Sequence, residues 1–375
     1  MTHVPHHLVT GATGFVGGAL VLELLARTDA EIHCVVRPRK DLSAEERLRA
    51  ALTTAAASYG ITDLDEAIAT RCHPVEGDLT AEACGVDAAA LPEVEQVWHV
   101  AASLAYEEHR REEILRDNLG GTQHVLELAR ALKAPTFNYV STAYVAGDRT
   151  GFIPAERVGD GVVSNNAYEH SKIQAERAVY AAGFERTRIF RPSIVIGHSR
   201  TFAATSFTGL YGFVKGLQKA RSEVRATLGD MLVFRPLRLR ATEDALVNFI
   251  PVDLVVSAAV GVALEDGPTD VYHLANTEQP AVGTTLAELC DQLAIKHPVY
   301  VDTTDEFTLI DERVDERVEF YRSYVNGTKD FDVASVEKLL GEGVLSHPLP
   351  QEHLAEYISW YLEHHRAKNK KGTNA

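Results

Sequence analysis

The sequence predicts an α/β protein, a parallel sheet wound with helices on both faces, followed by a smaller, mostly helical domain. Three observations carry that expectation. Short apolar runs alternate with amphipathic stretches through the first 200 residues, the pattern of strand–helix–strand units. A glycine-rich turn, Gly11-Ala12-Thr13-Gly14-Phe15-Val16-Gly17, joins the first apolar run, Leu8-Val9-Thr10, to an amphipathic stretch at 19–26. At 375 residues the chain can bury one large core or two unequal ones.

Taken in order, a second strand is expected at 31–36, then strands at 71–75, 96–102, 136–144 and 187–197, with helices between them, notably 115–132 and 168–182. Residues 250–253 and 271–275 read as a return into the main sheet. On this reading 1–199 form a doubly wound domain of Rossmann type, rejoined by 246–276. Residues 200–245 and 277–375 form the substrate-binding domain and its lid. The polar tail at 368–375 is expected to be disordered.

Composition narrows the class. Net charge is −16, which repels nucleic acid. Four cysteines, Cys34, Cys72, Cys84 and Cys290, lie far apart without zinc-ligand or disulfide spacing, so reduced structural thiols are expected. The pairs His6-His7 and His364-His365 read as solvated, and no metal site is expected. The N-terminus enters the first strand without room for a signal peptide. The longest apolar stretch, 16–26, holds two glycines and Glu23, too short and too broken to span a membrane. A cytoplasmic enzyme is expected.

The glycine turn is the first chemical signal. Gly11, Gly14 and Gly17, with Thr13, Phe15 and Val16, stand where a strand turns into a helix. Free N–H groups and the macrodipole there favour a pyrophosphate, and glycine lets the backbone come close to it. At the end of the second strand, where a site for NAD usually carries an acid, stand Arg37, Arg39 and Lys40. A cation there suits the 2′-phosphate of NADPH; a merely solvated Arg37 would leave either cofactor usable. Asp78 with Leu79, and Ala101 with Ala102, fall at the C-terminal ends of strands, where such sheets bind ligands. Asp78 suits the adenine amino group, or it caps the turn before Thr80.

The second signal is Tyr168-Glu169-His170-Ser171-Lys172. Tyr168 and Lys172, four apart on a helix, share a face. An ammonium beside a phenol favours phenolate, so the Tyr168 pKa is expected to fall toward working pH. Upstream, Val140-Ser141-Thr142-Ala143-Tyr144 ends a strand, and the Thr142 hydroxyl would converge with Tyr168 on a carbonyl oxygen. Asn118, before Gly120-Gly121-Thr122, is a further polar candidate, or it only satisfies backbone groups.

These motifs resemble the extended short-chain dehydrogenase/reductases, in the branch of fatty acyl-CoA reductases and thioester-reductase domains of carboxylic acid reductases and nonribosomal synthetases. The likeness spans about the first 275 residues. It is carried by Thr10 to Gly17, Val36-Arg37-Pro38, His99-Val100-Ala101-Ala102, Asn118 to Thr122, Val140 to Val145, Tyr168 to Lys172, Arg191-Pro192-Ser193-Ile194-Val195-Ile196-Gly197 and Ile250-Pro251-Val252-Asp253. The resemblance implies NADPH, held by Thr10 and the glycine turn, by Arg37 and Arg47 at the 2′-phosphate, and by Lys172, Pro192 and Ser193. It implies Thr142, Tyr168 and Lys172 as catalytic residues acting on an acyl thioester, reduced to an aldehyde and, with a second hydride, to an alcohol. Other chemistry within the larger family, on a ketone or hydroxysteroid-type substrate or a sugar nucleotide, stays open, as does a cofactor-binding sensor without catalysis.

Charge marks one segment. Residues 186–240 hold eleven Lys/Arg against Glu223 and Asp230, a balance of +9 inside an acidic chain. Such a patch would attract acyl-CoA phosphates or an acyl carrier protein, with Arg221, Arg225, Arg235, Arg238 and Arg240 as docking candidates. The alternative is that these arginines pair with acids elsewhere.

Overall fold

A computed structural model of the chain describes residues 4–39 and 41–372. Seven strands form one sheet: β1 (His6–Thr10), β2 (Glu31–Val36), β3 (Cys72–Glu76), β4 (Gln96–His99), β5 (Thr136–Val140), β6 (Arg186–Pro192) and β7 (Asp270–Leu274). Their order is β3-β2-β1-β4-β5-β6-β7, every neighbour parallel. The chain winds outward from β1 to β3, then crosses back to start again at β4. The crevice between the C-terminal ends of β1 and β4 is therefore the point where this sheet opens to a ligand.

Apolar residues sit side by side in these strands because both faces are covered. Leu8 packs into the cluster formed with α3 (Gly121–Ala131) and α4 (Ala167–Ala181). Val9, the next residue, packs into the opposite cluster with α1 (Phe15–Arg27), α2 (Ala44–Tyr59) and α6 (Val252–Leu264). A third cluster forms where α5 (Leu210–Leu228), α7 (Val282–Gln292), α8 (Leu309–Val318) and α9 (Gln351–Gly372) bury Val214, Leu217, Leu286, Leu289, Val314, Tyr357 and Tyr361 together.

Several expected boundaries shift. The strands at 96–102 and 136–144 stop at His99 and Val140, because the chain leaves the sheet there to form loops. The run at 187–197 breaks after Pro192: the Ser193 N–H donates to Leu274 O, and Ile194–Ile196 pairs with Phe249–Pro251 in a separate two-stranded ladder. Of the expected return, only Asp270–Leu274 joins the main sheet. The helix at 115–132 is interrupted by a π-turn, Arg116–Gly120. The tail is helical through Gly372, continuing a helix anchored by Leu354, Tyr357, Ile358 and Tyr361; residues 373–375 of that expected disordered tail, and Lys40, lie outside the described residues. His7 is not solvated: it is buried inside β1, and desolvation pushes its pKa down to about 4. All four cysteines are buried and unpaired. Among the described residues no helix is long and apolar enough to cross a membrane.

Candidate active site

The turn after β1 is held by close backbone contacts. Gly11 has φ +81°, and a Cβ on it would lie 2.7 Å from the Ala101 nitrogen; a Cβ on Gly17 would lie 2.1 Å from the Gly11 oxygen. Gly14 N–H donates to Gly11 O at 2.8 Å and caps α1 without a side-chain bond or an acid in the first turn. The first intrahelical bond across this end is Gly18 N–H to Gly14 O, so the N–H groups of Phe15, Val16 and Gly17 are available beside the exposed Thr13. An uncapped, positive helix end with close backbone access fits a pyrophosphate.

Thr10 fastens the crevice. Its hydroxyl lies 2.7 Å from His99 Nδ1 and accepts from Ala101 N–H at 3.4 Å, while His99 Nε2 lies 3.0 Å from the Thr122 hydroxyl. Burial, helped by Lys172, pushes His99 down to about 3, so this ring is neutral. Ala102 is exposed at the mouth.

Arg37 reaches Asp78 at 3.5 Å, both side chains open to solvent. Asp78 also accepts from the Thr80 N–H and hydroxyl at 3.0 and 2.9 Å, so it serves the turn as well. Leu79 packs beside Gly121. Arg37, Arg39 and Arg47 come together: burial and then the charges of Arg39 and Arg37 hold the Arg47 guanidinium below its usual range. Among the described residues no acid pairs with Arg39 or Arg47. Three guanidiniums gathered here, of which only Arg37 meets a carboxylate among the described residues, leave an excess of positive charge that suits a dianion.

On the other side of the crevice, β5 ends at Val140. Thr142 caps the short turn Ala143–Ala146, its oxygen accepting from Tyr144 N–H at 3.3 Å, a bond that leaves its own proton free to donate. Lys172, one turn along α4 from Tyr168, is 1% exposed; its ammonium donates to Val140 O at 2.8 Å and lies 4.2 Å above the Tyr139 ring. Desolvation pushes Lys172 down to about 7, against the raising effect of Glu176. The expected fall in the Tyr168 pKa is absent. Burial, and secondarily the Glu169 carboxyl, push that phenol up, while the Lys172 ammonium is turned to Val140 O. The phenol therefore holds its proton.

Asn118 sits in the π-turn, where its amide donates to Ser171 Oγ (2.9 Å) and Ser103 O (3.0 Å) and accepts from Ser103 N–H (2.7 Å). Ser171 in turn donates to Tyr168 O at 2.7 Å. Asn118 thus satisfies backbone and ties α4 to the loop after β4. Pro192 ends β6, and the Ser193 hydroxyl is turned to Asn248 Oδ1 at 2.6 Å. The sequence reading missed the support beneath Lys172. Glu176, one turn further on, makes a buried two-pronged pair with Arg191 of β6 at 2.9 and 2.6 Å. The spacing Tyr168, Lys172, Glu176 on one helical face was the available signal.

The expected basic patch is largely neutralised. Arg186 and Arg188 reach Asp266, Arg191 reaches Glu176, and Arg225 reaches Asp230. Arg235 and Arg238 share Asp311, with Glu306 also on Arg238, and Arg240 holds Asp315. Counting charge within one segment overlooked the acids that fold against it from α8 and the turn before β7. Among the described residues no acid pairs with Arg200, Lys215, Lys219 or Arg221.

Residues 9–259 match the family model described as male sterility protein, an NAD-binding domain. The chain belongs to that family. It is similar to a linear gramicidin synthase of Brevibacillus parabrevis, 32% identical over 207 residues that cover 52% of this chain and 4% of that protein. It is also similar to fatty acyl-CoA reductase 2 of Mus musculus, 25% identical over 289 residues, 68% of this chain and 53% of the mouse protein. The chain spans a small part of the synthase and about half of the mouse reductase. Among solved structures, the terminal R domain of the myxalamid PKS-NRPS pathway superposes with a TM-score of 0.74 at 26% identity, covering 97% of this chain and 92% of that one. The fold is thus the doubly wound one expected, and the protein is an extended short-chain dehydrogenase/reductase of the acyl-CoA and thioester reductase branch, an oxidoreductase family.

Proposed function

We propose that the protein reduces an acyl thioester to an aldehyde with NADPH. The observation that carries the reading is the Lys172 bond to Val140 O, which draws the Tyr168–Lys172 turn of α4 to the strand end that presents Thr142, across the crevice from the uncapped end of α1. The three clustered arginines favour NADPH over NADH. The glycine turn and the arginine cluster would hold NADPH, which when bound would supply the hydride for the thioester carbon. Thr142 donates a hydrogen bond to the carbonyl oxygen as charge gathers on it, and Tyr168 supplies the second donor and the proton. Lys172 holds the strand end and would bind the cofactor ribose hydroxyls when NADPH is bound. The hemithioacetal then expels thiol. Delivery on CoA or on an acyl carrier protein is favoured by the cations of α5 with no acidic partner among the described residues, Lys215, Lys219 and Arg221.

The test is NADPH consumption with acyl-CoAs of different length and with carrier-bound thioesters, scoring thiol, aldehyde and alcohol together. One hydride per thiol with aldehyde supports the reading, and two per thiol with alcohol adds a second step. Turnover of ketones or sugar nucleotides with no thiol released from any thioester would overturn it.

A further inference from the structure

The third apolar cluster keeps a gap in its core. A cavity of about 40 Å³ lies between α5 and α7, walled by Phe213, Phe249, Leu286, Leu289, Tyr321 and Tyr324 among others. By the measure that one water needs roughly 10–15 Å³, it has room for about three methylene-sized groups. Its lining is almost wholly apolar. Thr285, which also lines it, already donates its hydroxyl to Ala281 O at 3.0 Å, and burial pushes the Tyr321 and Tyr324 phenols up, so no wall side chain is charged at neutral pH. Water in such a space finds too few partners, whereas an alkyl group loses nothing by entering.

The position gives the cavity its meaning. Tyr324 packs edge-on against Tyr144 at 4.3 Å, two residues past Thr142, and hydrogen-bonds with Asn166, the cap of α4 two residues before Tyr168. Tyr324 therefore borders this space while packing against the turn that Thr142 caps and the N-terminal cap of α4. On the far side Tyr321 stands edge-on to Phe213 at 5.4 Å. Gly212 makes room for it, since a Cβ there would lie 2.0 Å from the Tyr321 hydroxyl.

We propose that this cavity receives the far, apolar end of the acyl chain, which makes the substrate a thioester of an aliphatic acid with no charged or hydroxylated terminus. The inference rests on the thioester reading for what enters the cavity. Its walls also set chain length: Val282 and Leu286 of α7 line the space, so a larger residue at the first shortens it and a smaller residue at the second lengthens it.

The experiment measures binding apart from turnover. S-alkyl pantetheine thioethers, which carry the arm common to CoA and carrier proteins and cannot be reduced, are titrated calorimetrically into the NADPH-bound protein, with alkyl chains of roughly 2 to 12 carbons. Affinity is expected to stay level until the chain reaches the cavity, to rise about fourfold per methylene over about three carbons, and then to level again. Leu286→Ala should move the second plateau to longer chains and Val282→Phe to shorter ones, while an ω-hydroxyl should cancel the gain. If Val282→Phe does not fold, Leu286→Ala carries the test alone. A series without a rise, or a plateau at the same length in each folded variant, overturns the proposal. Acyl-CoA and carrier-thioester turnover, scored in parallel, separates the two readings: chain-length steps in binding without thioester reduction overturn the reductase and leave the cavity, whereas reduction with a flat binding series overturns the cavity alone.

Discussion

Tyr168 and Lys172 show how burial sets chemistry at a single side chain. The phenol, pushed up by desolvation, keeps its proton at neutral pH, while the ammonium, pushed down to about 7, sits close to losing its own. A protonated phenol suits a donor to a developing oxyanion. Tyr168→Phe is expected to lower kcat by about 100- to 10,000-fold while leaving the fluorescence titration with NADPH nearly unchanged; full turnover in that variant would remove Tyr168 from the mechanism. The arginine cluster makes a separable prediction. Each charge-assisted bond is worth about 1.5–3 kcal/mol, so Arg37→Ala or Arg47→Ala should raise KM for NADPH roughly 10- to 100-fold and move KM for NADH little. Equal loss with both cofactors would assign the arginines to the fold instead.

At the scale of elements, α4 joins chemistry to stability. Its outer turn is fixed by Asn166, whose side chain accepts from Glu169 N–H at 2.9 Å, and by Ser171 bonded back to Tyr168 O. Its inner turn is fixed by Glu176 on Arg191, both about 1% exposed. Removing one member of such a pair leaves the other charge buried and uncompensated. Glu176→Gln keeps the shape and should cost about 3–5 kcal/mol, read by denaturant unfolding, with unchanged stability showing that the pair adds nothing. The turn into α1 was readable from its glycines because their spacing reports backbone contacts within one short segment. The Glu176–Arg191 pair was not, since it joins a helix to a strand whose alignment is set by sheet order.

Across the whole molecule, buried histidines, His7, His33, His99 and His273 among them, bind fewer protons folded than unfolded. Desolvation holds His99 and His273 down to about 3 and His7 and His33 down to about 4, against 6.5 for an exposed ring. In that window the unfolded chain takes up more protons, so stability is expected to fall as pH drops below about 6.5, by up to about 1.4 kcal/mol per pH unit for each ring. Glu169, whose carboxyl burial pushes up, works in the opposite direction. Tm measured from pH 7.5 to 5 should decline, and a flat profile would show these rings reachable by protons in the folded state. The seven-stranded core, the glycine turn into α1 and the shared helical face of Tyr168 and Lys172 were legible in the chain because each depends on periodicity or on neighbours within about a turn. The fate of the basic segment was not: its arginines meet Asp266, Asp311 and Asp315, brought close only when α8 and the turn before β7 fold against it. The apolar cavity likewise exists only once α5, α7 and Tyr324 have packed. A one-dimensional pattern reports which groups a segment carries, and burial, pairing and empty space arise where distant segments meet.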